Sequence, residues 1–255
     1  KEIKNFSFSM YNDPLLIIII FFAVLCGGLI KGIIGFGMPM VALPIIAFML
    51  PATKAIIILC APIFLTNFMQ MKIKEGITSY RFLPMFLSLV IGLLIGARLI
   101  LEIKLNTITQ IIAIAVIFVA IINSFGLQIK NINKNWERSI TIIIGFFSGI
   151  LGGLSSFYGP PMLAYLVALK LKKETFIRVV STMYFIGSFP LYGSLMYYGL
   201  GTINDLYFSL LLIIPALIGQ QVGSRIRNKI SENIFRNFVL IILFVLGFAL
   251  LFKTL

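Results

Sequence analysis

The 255-residue sequence contains no histidine. The side chain that most often serves as general base or metal ligand near neutral pH is therefore missing. Acids are scarce as well, 8 aspartates and glutamates against 21 lysines and arginines. Glu2, Asp13, Glu75, Glu102, Glu137, Glu174, Asp205 and Glu232 fall in tails, in loops or at the ends of apolar runs. None is expected at membrane depth, where carriers of cations or neutral solutes usually bury a carboxylate. The two cysteines, Cys26 and Cys60, lie inside apolar runs and read as small packing residues, not as a disulfide. No metal or cofactor is expected. Charged residues make up only 11% of the chain, against about a quarter in an ordinary soluble domain.

What the chain has is apolar length, with 60% hydrophobic residues. Windows near 20 apolar residues recur from end to end, and the loops are too short for a soluble domain. This predicts an all-α polytopic membrane protein, because backbone in lipid must satisfy its own hydrogen bonds and the runs lack the alternation of a barrel strand. The net charge of +13 gathers at span ends, as the positive-inside rule expects. That distribution argues against nucleic acid as a partner and for the lipid bilayer. The first apolar run is too long for a signal h-region and has no small-residue cleavage site, so no cleavable signal peptide is expected.

One stretch interrupts this pattern. KGIIGFGMP, Lys31 to Pro39, drops a lysine, three glycines and a proline into the apolar run from Pro14 to Leu50. A second break, GILGGLSSFYGPP from Gly149 to Pro161, occupies the matching place in the other half. Paired interrupted spans point to a transporter's binding site. Gly28, Gly32 and Gly35 match Gly145, Gly149 and Gly152 at an offset of 117, and IGLLIGAR ending at Arg98 matches IGQQVGSR ending at Arg225 at 127. A ten-residue insertion near 170–199 would account for the difference, and the mate of Lys31 would be Ser148.

The chain then divides into a first transmembrane repeat (1–126), a linker (127–138) and a second repeat (139–255), each of about five helical segments. The segments are 14–34, 38–51, 54–72, 82–103 and 106–126, then 139–157, 160–171, 175–198, 206–228 and 234–252. The short ones, 38–51 and 160–171, either cross at a thin place or return as hairpins. Loop charges reverse between the halves. Lys72, Lys74 and Arg81 in the first correspond to Asp205 in the second, and Lys54 corresponds to Lys170, Lys172, Lys173 and Arg178. Equivalent loops therefore belong on opposite faces. An inverted repeat follows, with both termini and the 51–54 loop outside and the linker inside.

The only ionisable side chain well inside an apolar run is Lys31, and an anion is the simplest partner for a buried cation. Gly32, Gly35 and Gly37 with Phe36, and Gly152 and Gly153 in the second break, would free backbone N–H groups at resumed helix starts, an anion cradle. Ser155, Ser156 and Tyr158 add hydroxyl donors, and Asn67, Gln70, Gln220 and Gln221 are isolated amides. Structural readings compete with each of these. Lys31 could snorkel to the inner interface, the glycines could be small-residue packing, and the amides could join helices. Arg98 and Arg225 read as span-end anchors.

GLIKGIIGFGMPMVALP, GILGGLSSFYGPP and the paired GxxxGxR segments together resemble the sulfite exporter TauE/SafE family, also called the 4-toluenesulfonate uptake permeases. The resemblance covers nearly the whole chain. It implies a multi-pass carrier of the bacterial cytoplasmic membrane for a small sulfur-containing oxyanion, sulfite or an organosulfonate, with its site at the two breaks. The second break departs from the first in lacking Gly-Phe-Gly and the lysine. A proton on the substrate, or a sodium ion on freed carbonyls, could couple transport; the oligomeric state is open. The alternatives are a channel or carrier for another small anion such as a carboxylate, and an intramembrane enzyme.

Overall fold

The computed structural model describes residues 13–71, 80–104, 134–169 and 173–226, with scattered positions in 106–121 and 245–252. The expected fifth segments, 106–126 and 234–252, lie largely outside the described residues. Among the described residues every element is helical.

The first half comprises α1 (Pro14–Ile34), α2 (Met38–Met49), α3 (Ala52–Ile58), α4 (Cys60–Gln70) and α5 (Leu83–Leu99). The second comprises α6 (Lys134–Ser155), α7 (Gly159–Ala168), α8 (Lys173–Tyr197), α9 (Ile203–Leu211) and α10 (Ile213–Ile226). Among the described residues, four helices are long and apolar enough to cross a bilayer: Pro14–Ile34, Trp136–Ser155, Thr175–Tyr197 and Ile203–Ile226. The protein is thus an all-α, multi-pass membrane protein. Leu15, Ile18 and Phe22, one stripe of α1, point outward, as lipid-facing residues do.

Local chemistry sets the helix limits. α1 starts at Pro14 because the Asp13 carboxylate accepts from Leu15 N at 3.0 Å and Leu16 N at 3.3 Å, an N-cap before a proline suited to the first turn. α9 starts with a capping box in which Thr202 and Asp205 satisfy each other's backbone N–H groups. Several segments differ from expectation. The third is not one straight span but α3 and α4, bent by 41°. Pro62 has no N–H and crowds the carbonyl one turn back, and the freed Ala61 N–H donates to Ser209 Oγ of α9 at 2.8 Å. α6 begins at Lys134, within the stretch expected to be linker, and the chain after Leu99 is turn, not helix as far as 103.

The halves are joined by two glycine seams. Along α1 and α10, a methyl on Gly28 would collide with the Ala216 carbonyl, and one on Gly32 with that of Gln220; Gly219 and Gly223 oppose the carbonyls of Leu25 and Leu29 in return. Along α5 and α6, Gly92 and Gly96 oppose the carbonyls of Phe146 and Ile150, and Gly149 opposes that of Leu89. Residue numbers rise together on both sides, so each seam is parallel. In lipid no hydrophobic force drives helices together, and such backbone-to-backbone approach is what small residues permit. The third segments, α4 and α8, pack antiparallel. Phe64 meets Phe189 at 5.2 Å, Phe68 meets Phe185 at 5.5 Å, and Gln70 accepts from Ser181 at 3.2 Å.

The seams correct the register read from glycine spacing. Gly96 meets Gly153 where Gly223 meets Gly32, so Gly32 corresponds to Gly153, an offset of 121 (153 less 32). GLIKGIIGFGMP and GILGGLSSFYGP then align without a gap, and Lys31 corresponds to Gly152, not to Ser148. The glycine ladder repeats every four residues, so its spacing alone could not detect a slip of one helical turn. The offset difference shrinks from ten to six (127 less 121).

Among the described residues, two ion pairs also bridge the halves. Lys54 of α3 pairs with Asp205 of α9 at 2.5 Å, both buried, and Arg81 pairs with Glu137 at 2.5 Å on a more exposed face.

Gly92→Leu or Gly219→Leu should drive the seams apart at a cost of at least ~1–3 kcal/mol. Gly193→Ala, in a helix with nothing within 4 Å of the new methyl, should be neutral or stabilise by up to ~1 kcal/mol. Thermal unfolding in detergent, followed by monodispersity, checks both. Asp205→Ala should cost ~3–5 kcal/mol by leaving Lys54 buried and unpaired; an unchanged midpoint would refute that role for the pair.

Candidate functional site

Each break is built the same way. α1 ends when Gly35 takes a left-handed conformation, φ 89°, and its N–H returns to Lys31 O at 2.8 Å. α6 ends at Ser156, φ 63°, whose N–H returns to Gly152 O at 2.7 Å. Left-handed backbone is easy for glycine and strained for serine, so the second break holds strain that the first avoids. Gly37 is also left-handed, φ 98°, and caps α2.

Lys31 lies in the last turn of α1 and is 2% exposed. Its ammonium points inward and donates to Asn67 Oδ1 of α4, so it does not snorkel to an interface. Asn67 Nδ2 is held in turn by Ile63 O at 2.7 Å, which fixes the amide with its oxygen toward the lysine. Among the described residues no carboxylate pairs with Lys31. Among the described residues, the C-terminal end of a helix dipole and one neutral amide hold this ammonium.

The remaining expected residues divide by role. Gly32 and Gly153 belong to the seams. Gly35 packs on Ile177, and Phe36 meets Phe176 edge-on at 6.0 Å, so the first break rests on the start of α8. Gln70 is engaged by Ser181, beside that contact. Gln220 gives its backbone to Gly32, while its buried side-chain oxygen has no hydrogen-bond partner. In the second break Ser155 is occupied, donating to Leu151 O at 2.7 Å and accepting from Phe157 N at 3.2 Å. Tyr158 donates to Tyr184 O at 3.0 Å and stacks on that ring at 4.6 Å.

The corrected register exposes a reciprocal exchange. The first break has a side chain at position 31 and none at 37; the second has none at Gly152 and a ring at Tyr158, which fills the space a Gly152 side chain would need. A cation on one side is thus replaced by a phenol on the other. The two helix starts are also unequal. α7 opens Gly159-Pro160-Pro161, and two prolines remove two of the N–H groups an anion cradle would use. The breaks do not meet: Gly35 packs on Ile177 and Tyr158 on Tyr184, levels about 10 Å apart along α8.

Sequence reasoning did not single out Tyr184 and Tyr192, buried beside the second break, or the burial of Lys54 and Asp205. A tyrosine in an apolar span carries no spacing signal. A Thr-x-x-Asp pattern such as Thr202 to Asp205 marks a helix start, not a buried pair. Arg98 lies over the Tyr198 ring at 5.7 Å, as a span-end anchor would.

Asn67→Ala should cost ~1–3 kcal/mol by leaving a buried donor unsatisfied. Lys31→Met with Asn67→Leu should recover most of it, since removing both partners is nearly neutral; chemical-denaturant midpoints of the three variants test this.

The family model described as Sulfite exporter TauE/SafE matches residues 20–250. No curated protein and no solved structure matches the chain.

Proposed function

The chain belongs to the sulfite exporter TauE/SafE family, a family of membrane transporters, and from that premise we propose that it is a secondary carrier of a small sulfur-containing oxyanion, sulfite or an organosulfonate. Lys31 carries the reading. A cation 2% exposed whose side-chain partner is a neutral amide is several kcal/mol unfavourable until an anion meets it. The substrate is that anion, held by the Lys31 ammonium, with the amides freed around Gly35 and Gly37 as the second set of donors. Loading neutralises the site, which favours movement of the charged substrate through a low-dielectric interior.

We propose alternating access between two inverted repeats, 1–126 and 139–255, in a bacterial cytoplasmic membrane. Antiparallel packing of α4 on α8 supports inversion, because an axis along the membrane normal would run equivalent helices parallel. Same-face contacts support the topology. Lys54 with Asp205 and Arg98 with Tyr198 join segments that the loop charges put outside, and Arg81 with Glu137 joins segments they put inside. The seams then couple α1 to α10 and α6 to α5, so rocking one half carries part of the other.

Lys31→Gln should abolish sulfite and sulfonate uptake into proteoliposomes while the protein stays folded. Asn67→Asp should do the same by placing a carboxylate where the anion binds. Unchanged uptake in Lys31→Gln would refute the assignment, and flux without substrate counterflow would indicate a channel.

A further inference from the structure

The second break holds a buried hydroxyl without a well-formed hydrogen bond. Tyr192 is 5% exposed, and its Oη has no partner at hydrogen-bond geometry, which is costly for a buried polar group. The Ser156 hydroxyl is within reach of it, on the one non-glycine residue among those described with a positive φ. Strain of that kind collects at functional sites. Around them two other hydroxyls are spent, Ser155 on Leu151 O and Tyr158 on Tyr184 O. α7 offers little backbone because Pro160 and Pro161 have no N–H. An oxygen arriving here would be met by two side-chain hydroxyls, with no cation nearby in the same break, where Gly152 stands in place of Lys31.

One spacing gives its relation to Lys31. Asn67, which holds Lys31, neighbours Phe68 on α4, and Phe68 packs on Phe185 of α8. Tyr192 lies seven positions beyond Phe185, about 10 Å along a helix. A compact oxyanion on Lys31, bound through hydrogen bonds of about 3 Å, does not reach the second level. An anion with a polar group at its other end does.

We propose that Tyr192, with Ser156, forms a second polar subsite that takes a hydrogen-bond-accepting oxygen at the far end of the transported anion, and so selects bifunctional over simple sulfonates. The proposal rests on the anion-carrier reading above and adds specificity to it. Lys31 supplies charge recognition common to all substrates; Tyr192 distinguishes among them.

The test compares uptake of 2-hydroxyethanesulfonate, ethanesulfonate and sulfite into proteoliposomes by wild type, Tyr192→Phe, Ser156→Gly and Lys31→Gln. Tyr192→Phe should weaken apparent affinity for 2-hydroxyethanesulfonate about tenfold, the worth of one hydrogen bond, and leave the other two within about twofold. Ser156→Gly, which suits the left-handed backbone, should show the same selectivity with an unchanged or higher melting midpoint. Equal loss on all three substrates would make Tyr192 merely structural, and no loss on any would remove it from the site; either outcome overturns the subsite. If Lys31→Gln is silent, or wild type moves none of the three, the carrier reading fails and the subsite with it. Loss in Lys31→Gln with no selective effect of Tyr192→Phe overturns the subsite alone.

Discussion

Backbone contact along the two glycine seams is the constraint on which the rest of this structure depends. α1 lies on α10, and α5 on α6, so closely that no methyl group fits between them. Each seam joins the first helix of one half to the fourth segment of the other. Because helices in lipid gain nothing from hiding apolar surface from each other, this closeness supplies the van der Waals attraction that a hydrophobic core supplies in water. It also fixes where each first helix can stop. The turn after Gly32 and Gly153 has left the seam, and there the chain breaks.

The breaks share a backbone and differ in chemistry. A lysine stands at position 31 where the other half has Gly152, and Tyr158 stands where the first half has Gly37. One break keeps charge buried against a neutral amide; the other keeps hydroxyls buried, one of them unpartnered. Both arrangements are unfavourable for buried polar groups. The third segments run antiparallel between them and hold the two levels at a fixed separation. Meanwhile the buried Lys54–Asp205 pair and the more exposed Arg81–Glu137 pair tie the halves at other points.

Much of the fold was legible in the sequence. Apolar run length gave α1 to the residue, because Asp13-Pro14 and Gly35 are strong local stop signals. Boundaries failed where the signal was not local: the third segment breaks because Pro62 coincides with a Ser209 hydroxyl from a distant helix, and the register slipped because a four-residue glycine ladder looks the same after one turn. Lys31 was visible as an oddity, but sequence distance along a helix could not decide between an anchor and an interior cation. The partner, Asn67, settles its direction.

The sequence by itself determined the class of solvent, the helical content, the two breaks and the family, because each depends on composition or on residues adjacent in the chain. Only the tertiary structure decided which glycines pack and which turn, that Ser155 and Tyr158 are already engaged, and that Tyr192 is not. Those outcomes depend on which groups meet across helices far apart in sequence, and a hydrogen bond's partner is not encoded next to its donor.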